Sequence, residues 1–436
     1  MDREPTIPTL SPPRATPAEQ DAPLPTARPL GRPWGLALLV VAFLALATLY
    51  NVRVPILEAP DEALHYRYVE HLAGGGGLAP LAPEEPPGEG VRLPPLYYGL
   101  GALLIAGVER DADPLPPTNP YANVCRPETP GNKNAVLHLG PEGWPYRGAA
   151  LAVHLLRLLA TLSAAGAVVL GYLAAREALP DRPGVAYGAA ALLAFNPQFV
   201  FLGAAASGTA LAALLGAAAL YLALRVANGR QSTGPGAAAL LGLLVGLGML
   251  ADSTLLVGLA LPPLAYGANL WRLRRADAVR RADAVRRADA AGVDAARSLF
   301  LPATLGVGVA RAVGGWWYVQ NLAAGLALTG AGAPAAEAPR AAWEALAAAA
   351  RSLRSYWGLF GWMNIAADEA YYVFVALLSV LGVAGLGLAA MWSLWYRGGA
   401  AGQPWHSVGL VAAWVLLHGA AYVLHARTAP CPQGRL

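Results

Sequence analysis

The chain has 436 residues, of which 56% are hydrophobic and only 13% charged. Soluble domains carry about 25% charged residues, so a water-soluble globular domain is excluded. The net charge of +4 is carried almost wholly by arginine, Lys133 being the single lysine, and it calls for no nucleic-acid partner.

Residues 1–33 are rich in Pro, Ala and Thr and lack a long apolar run. They read as a disordered tail. No signal peptide precedes the first apolar stretch, 34–50, so that stretch is expected to be an uncleaved anchor. Further spans are expected at 150–175, 184–203, 206–226, 236–251, 253–271, 299–318, 371–395 and 407–425, nine in all. The expected fold is an all-α polytopic membrane protein, a single bundle covering 34–436.

The stretch 94–109 (PPLYYGLGALLIAGVE) is ambiguous. As a helix it is roughly 24 Å long, against about 30 Å of hydrocarbon. Arginine distribution decides. The block 272–297 holds eight arginines: Arg272, Arg274, Arg275, Arg280, Arg281, Arg286, Arg287 and Arg297. If 94–109 crossed, that block would lie outside. It is therefore read as a re-entrant or interfacial segment, with the N-terminus and the basic block cytoplasmic. The outer regions are then 51–149 and 319–370. The near-perfect RRADAV repeat in the basic block matches neither a heptad nor a solenoid period. It reads as a solvated helix that fixes topology, with anionic headgroup binding as the alternative.

The outer side gathers the chemistry-bearing residues. The segment EAPDEALHYRYVEHL follows the first span and carries Glu58, Asp61, Glu62 and His65. Pro60 suits a helix start and carboxylates suit a first turn, so Asp61 and Glu62 are either a helix start or paired acids for proton transfer. Arg92 and the PPLYY run with Tyr97 and Tyr98 follow. FNPQFVF places Asn196 and Gln198 near the same surface. RSYWGLFGWMN adds Trp362 and Asn364, and the final PCPQGRL adds Arg435. Each aromatic alone fits an interfacial belt, and Asn196-Pro197 alone fits a helix end. Asp252, at the junction of two spans, has no assigned role, though an acid in a span is costly. The two cysteines, Cys125 and Cys431, fall on the outer side and form no metal-ligand pattern. No metal site is expected.

The order of these motifs, from the Asp-Glu pair through PPLYY, HLLRLLATLSAAGAVVLGYLAARE and NPQF to WGLFGWMN and PQGR, resembles the GT-C superfamily of polyprenyl-phosphate-sugar-dependent glycosyltransferases. That group includes protein O-mannosyltransferases and the enzyme that adds aminoarabinose to lipid A. The resemblance covers 34–436. It implies a GT-C-like bundle in the cytoplasmic (inner) membrane of a bacterium and a polyprenyl-phosphate sugar donor. It also implies an acceptor glycan, lipid or protein and an inverting transfer at the outer face. Asp61 would be the general base, with Glu62 second. His65, Arg92, Tyr97, Tyr98, Asn196, Gln198, Trp362, Asn364 and Arg435 would bind substrate. No cofactor is required, and there is room for a divalent cation. Members continue past PQGR into further spans, so the resemblance implies a C-terminally truncated chain. Two other readings stand beside it: a transporter or flippase of lipid-linked saccharides, and a non-catalytic, degenerate paralogue.

Overall fold

A computed structural model describes residues 33–78, 92–109, 115–140, 142–281, 289–330, 341–395 and 405–427. The tail to residue 32, Cys431 and Arg435 lie outside the described residues.

Helix α1 (Pro33–Arg53) is the first apolar run and ends on its basic residue. A linker leads to α2 (Glu62–Ala73), and after a gap comes α3 (Pro95–Ile105). Helix α4 (Gly148–Ala178) follows, its 31 residues rising about 46 Å. The expected span at 184–203 is two helices, α5 (Pro183–Ala194) and α6 (Pro197–Gly203), bent by 61°. Pro197 has no amide hydrogen to continue α5 and suits the first turn of a new helix. The chain returns through α7 (Thr209–Ala227), α8 (Pro235–Ala251), a 3₁₀ stretch Ser253–Ala260 and α9 (Leu261–Arg281). Helix α10 (Asp289–Ala310) passes through a π-helical turn, Arg311–Gly315, into α11 (Trp316–Ala323). Short helices α12 (Ala342–Arg351) and α13 (Leu353–Gly358) precede an antiparallel pair, β1 (Leu359–Phe360) and β2 (Ile365–Ala366). Helices α14 (Glu369–Trp395) and α15 (Trp405–His425) complete the described chain.

Among the described residues, seven helices are long and apolar enough to cross a membrane, or eight if the bent pair counts as one span. The ninth expected span is α8, whose 17 residues rise about 26 Å, short of the hydrocarbon thickness. Helix α3 has only 11 residues. It packs its buried face, Tyr97, Tyr98, Gly101 and Ile105, on the bundle.

Helix α4 is the hub, packed against α1, α5 and α7. Small residues let the backbones approach. Where α8 packs on α10 and the π-helical turn after it, the approach is close: a Cβ on Gly242 would strike the Gly306 carbonyl, and one on Gly246 would lie 2.7 Å from the Val313 Cβ. The bundle's outward surface is apolar, with Leu377, Val380, Leu381 and Leu386 of α14 mostly exposed. That is the surface a bilayer covers, where every backbone polar group must be satisfied within the helix.

Candidate functional site

The first linker turns back on itself around one buried cation. Arg157 lies in the third turn of α4 and is fully buried. It donates to the carbonyls of Asn51, Val54 and Pro55. Its Nε and Nη2 reach the two Glu62 oxygens at 2.8 and 2.7 Å. Glu62, also fully buried, further accepts from the backbone amides of Leu57 and Ala206. Burial alone would raise the Glu62 carboxyl, but the Arg157 charge and these hydrogen bonds hold it below the usual carboxylate range. Glu62 is thus engaged on both oxygens and ties α2, α4 and the start of α7 together.

Asp61, one residue earlier, takes the opposite course. It stands at the N-cap of α2 with φ 60° and ψ 5°, in the left-handed region, and its side chain makes no capping bond. Its carbonyl joins the helix, accepting from the His65 amide at 2.9 Å. The expected first-turn placement is displaced by one residue, and this backbone turns the carboxylate away from the amides an Asp cap would accept from. Left-handed backbone is tolerated by Asp better than by most residues, yet it is costly enough that the surrounding contacts must hold it.

Tyr98 of α3 meets His65 there. Its hydroxyl is 2.8 Å from His65 Nδ1, and the two rings stack at 5.8 Å. Tyr68 packs edge-on to Tyr98 at 5.0 Å. Burial pushes the Tyr98 phenol well above its ordinary value, and the charges of Asp252 and Asp61 push it further. Both carboxylates therefore bear on one phenol, which stays protonated. Asp252 also caps the 3₁₀ stretch, accepting from the Thr254 amide at 2.9 Å. Its placement depends on Gly208, where a Cβ would lie 2.7 Å from the Ala251 carbonyl and 3.4 Å from the Tyr97 Cβ. No larger residue allows α3, α7 and α8 to converge so closely. Tyr97 is locked to α4, donating to the Leu156 carbonyl at 3.1 Å.

Arg92 lies beside this group. Its guanidinium sits 4.4 Å above the Trp317 ring and donates to Gln320, Asn321 and the Leu78 carbonyl. No carboxylate among the described residues pairs with it. It bears on Tyr68, whose phenol is raised by burial and partly lowered again by that cation. The Tyr68 hydroxyl, Ser207 Oγ and Trp317 Nε1 are buried with no hydrogen-bond partner among the described residues. Buried donors without partners are rare and call for an explanation.

The other expected residues lie elsewhere at the same end. Asn196 caps α6, accepting from the amides of Gln198 and Phe199, and donates to the Tyr356 carbonyl. Gln198 accepts from the Leu359 amide at 2.8 Å. Asn364 donates to the Lys133 carbonyl at 2.9 Å, and the Trp362 carbonyl accepts from the Cys125 amide. These four residues fasten the segment 353–366 onto α6 and the loop that precedes α4. Cys125 is disulfide-bonded. Nearby, Glu58 accepts from the amides of Ala135 and Val136 and from His138, whose other ring nitrogen meets Glu142 at 2.8 Å. Burial would lower the His138 imidazole, but its bonds to Glu142 and Glu58 raise it above its usual value.

Asp61, His65, Tyr98 and Arg92 are thus gathered at one place, and Asp252 joins them. Sequence reasoning missed Arg157, Tyr68 and Trp317. Arg157 had a signal, a lone cation inside an apolar run, which must find a partner. Among the described residues no group of three or more His, Cys, Asp or Glu side chains is arranged to hold a metal ion. No family model, curated protein or solved structure matches the chain.

Proposed function

We propose that the chain transfers a sugar from a polyprenyl-phosphate donor to an acceptor hydroxyl at the membrane surface. The observation that supports this most is the grouping of Asp61, Asp252, the His65–Tyr98 pair and Arg92, which pairs with no carboxylate among the described residues, at one end of an apolar bundle. A donor whose chain stays in the bilayer needs its chemistry at that depth. Asp61 takes the proton of the acceptor hydroxyl as that oxygen attacks the anomeric carbon. The bond from that carbon to the phosphate oxygen breaks, and the configuration inverts. Arg92, planar and permanently charged, receives the departing phosphate bidentately. Tyr98, kept protonated, serves as a hydrogen-bond donor beside the carboxylates. Glu62 is left out of the chemistry, because a base already bound to Arg157 has little affinity for another proton.

The test is transfer of radiolabelled sugar from a polyprenyl-phosphate donor to membrane acceptors by the purified chain. Label that enters acceptors with inverted linkage supports the reading. Donor that moves between leaflets without a new glycosidic bond refutes it in favour of transport. The reading also carries an orientation, with 51–149 outside and 272–297 in the cytoplasm of a bacterial inner membrane. In a background without the native cysteines, Leu139→Cys should react with an impermeant thiol reagent in intact cells and Ser232→Cys should not. The reverse pattern inverts the topology.

A further inference from the structure

A second recess lies beside the linker between α1 and α2. It is a cavity of about 220 Å³ between the last turn of α1, the loop at Lys133, α6 and the β1–β2 hairpin. Its floor is aromatic: Tyr50, Phe201 and Phe360 pack against one another with centroids 5.5 to 6.4 Å apart. Its charged walls are Arg53, Lys133 and Glu58.

The three charges are not equivalent. Glu58 has its oxygens taken by Ala135, Val136 and His138. The Lys133 ammonium spends its donors on the carbonyls of Arg126, Pro127 and Thr129, so its charge remains while its hydrogens are used. Arg53 is the exposed final residue of α1 and has no hydrogen-bond or carboxylate partner among the described residues. The cavity therefore offers an uncommitted guanidinium, a second positive charge and an apolar aromatic floor. It sits at the end of α1, one of the helices long and apolar enough to span a membrane, where headgroups would then lie. Its volume is below the roughly 300–1,000 Å³ of pockets that enclose a whole drug-sized ligand, so it admits a headgroup and leaves acyl chains outside, along α1.

We propose that this cavity binds the phosphate of an anionic membrane phospholipid, with Arg53 as the phosphate ligand and Lys133 adding attraction at short range. Planar guanidinium groups pair with phosphate oxygens through two parallel hydrogen bonds. The glyceryl part of the headgroup would rest on Phe360 and Tyr50. The inference is independent of glycosyl transfer, since it concerns a separate recess and a bulk lipid.

The test uses the purified full chain in neutral detergent, titrated with dioctanoyl phosphatidylglycerol, dioctanoyl phosphatidylcholine or inorganic phosphate, with thermal unfolding as the readout. Phosphatidylglycerol should raise the midpoint saturably, and phosphatidylcholine should not. Arg53→Gln should weaken the apparent affinity about 5-fold or more, the usual size of one cation's attraction to an anionic lipid surface. Ile365→Trp, at a half-exposed position in the cavity wall, should block it by filling the space. Arg126→Gln, an exposed arginine of the same outer region, should bind as the parent does. If both cavity variants bind phosphatidylglycerol normally, or if Arg53→Gln and Arg126→Gln weaken binding alike, the cavity is not the site. If inorganic phosphate reproduces the full effect, the ligand is a free anion and the lipid assignment falls.

Discussion

The two ends of the bundle are built from the same residue types and use them in opposite ways. At the end where α4 and α7 terminate, Asn228 caps α7, donates to Glu177 at 2.7 Å and accepts from His406 and Ser407 at 2.6 and 2.7 Å. Arg230 adds an ion pair to Glu177, and Arg272 donates to Asn269 and to the Ala227 carbonyl. Each of these polar groups is answered by another, and together they tie four helices. At the opposite end the Glu62–Arg157 pair is as complete, but around it stand Asp61 in left-handed backbone and, among the described residues, Arg92 without a carboxylate and buried atoms of Tyr68, Ser207 and Trp317 without partners. A saturated polar layer holds helices together. An unsaturated one carries a free-energy cost and marks where a water, an ion or a ligand would be held.

The sharpest way to break this contrast is Asp61→Asn. It keeps the side-chain shape and suits left-handed backbone, so the fold should stand while transfer falls by roughly 10²–10⁴-fold, the usual span of a general base. Turnover per folded molecule equal to the parent's would remove Asp61 from the mechanism. Next in size is Arg157→Met, which leaves Glu62 buried without its cation. Stability should fall by about 3–5 kcal/mol. The double variant Glu62→Gln/Arg157→Met should recover much of that loss in chemical denaturation. A double variant no more stable than the single one would mean that the pair is not the organising contact.

How much of this was legible in the sequence depends on how far apart the partners lie. Apolar runs announce spans locally, and Pro197 announces the break between α5 and α6, so the helical architecture could be read almost residue by residue. The gathering of Asp61, His65, Tyr98 and Arg92 was partly legible, because each lies near the end of an apolar stretch on the arginine-poor side. Which of two adjacent acids faces inward was not legible. It is settled by Arg157, 95 residues beyond Glu62, and by a backbone turn at Asp61 that Asp permits without requiring. Asn196, Gln198 and Asn364 look like ligand-binding amides, but their bonds run to backbone groups of distant segments, which no local pattern reveals.

A smaller effect tests the saturated end. Asn228→Ala removes one group that serves Glu177, His406 and Ser407. It should cost about 1–3 kcal/mol through the polar atoms it strands, yet leave turnover of the folded fraction unchanged. Lost turnover there would mean that the two ends are coupled. The smallest effect is in pH dependence. Glu62 is lowered in the fold, so its contribution is present above its ordinary value of 4.5 and is lost as pH falls through the lowered one. His138 is raised, so its contribution is full below 6.5 and is lost as pH rises through the raised value. Thermal stability should therefore decline on both sides, and His138→Gln should flatten the alkaline decline alone. An unchanged alkaline slope would remove His138 as its cause.

The left-handed turn at Asp61 also bears on how such a chain drifts over generations. Single-base changes to an aspartate codon yield asparagine and glycine, among other residues. Both adopt that backbone readily, glycine with less strain than the parent. The backbone conformation therefore sets no barrier against losing the carboxylate. A lineage released from selection for chemistry would shed it early, and its products would still insert, fold and persist in the membrane. On the proposed role of Asp61 as general base, asparagine or glycine at position 61 in a sister gene would mark a silent copy, and aspartate kept there against the strain a working one.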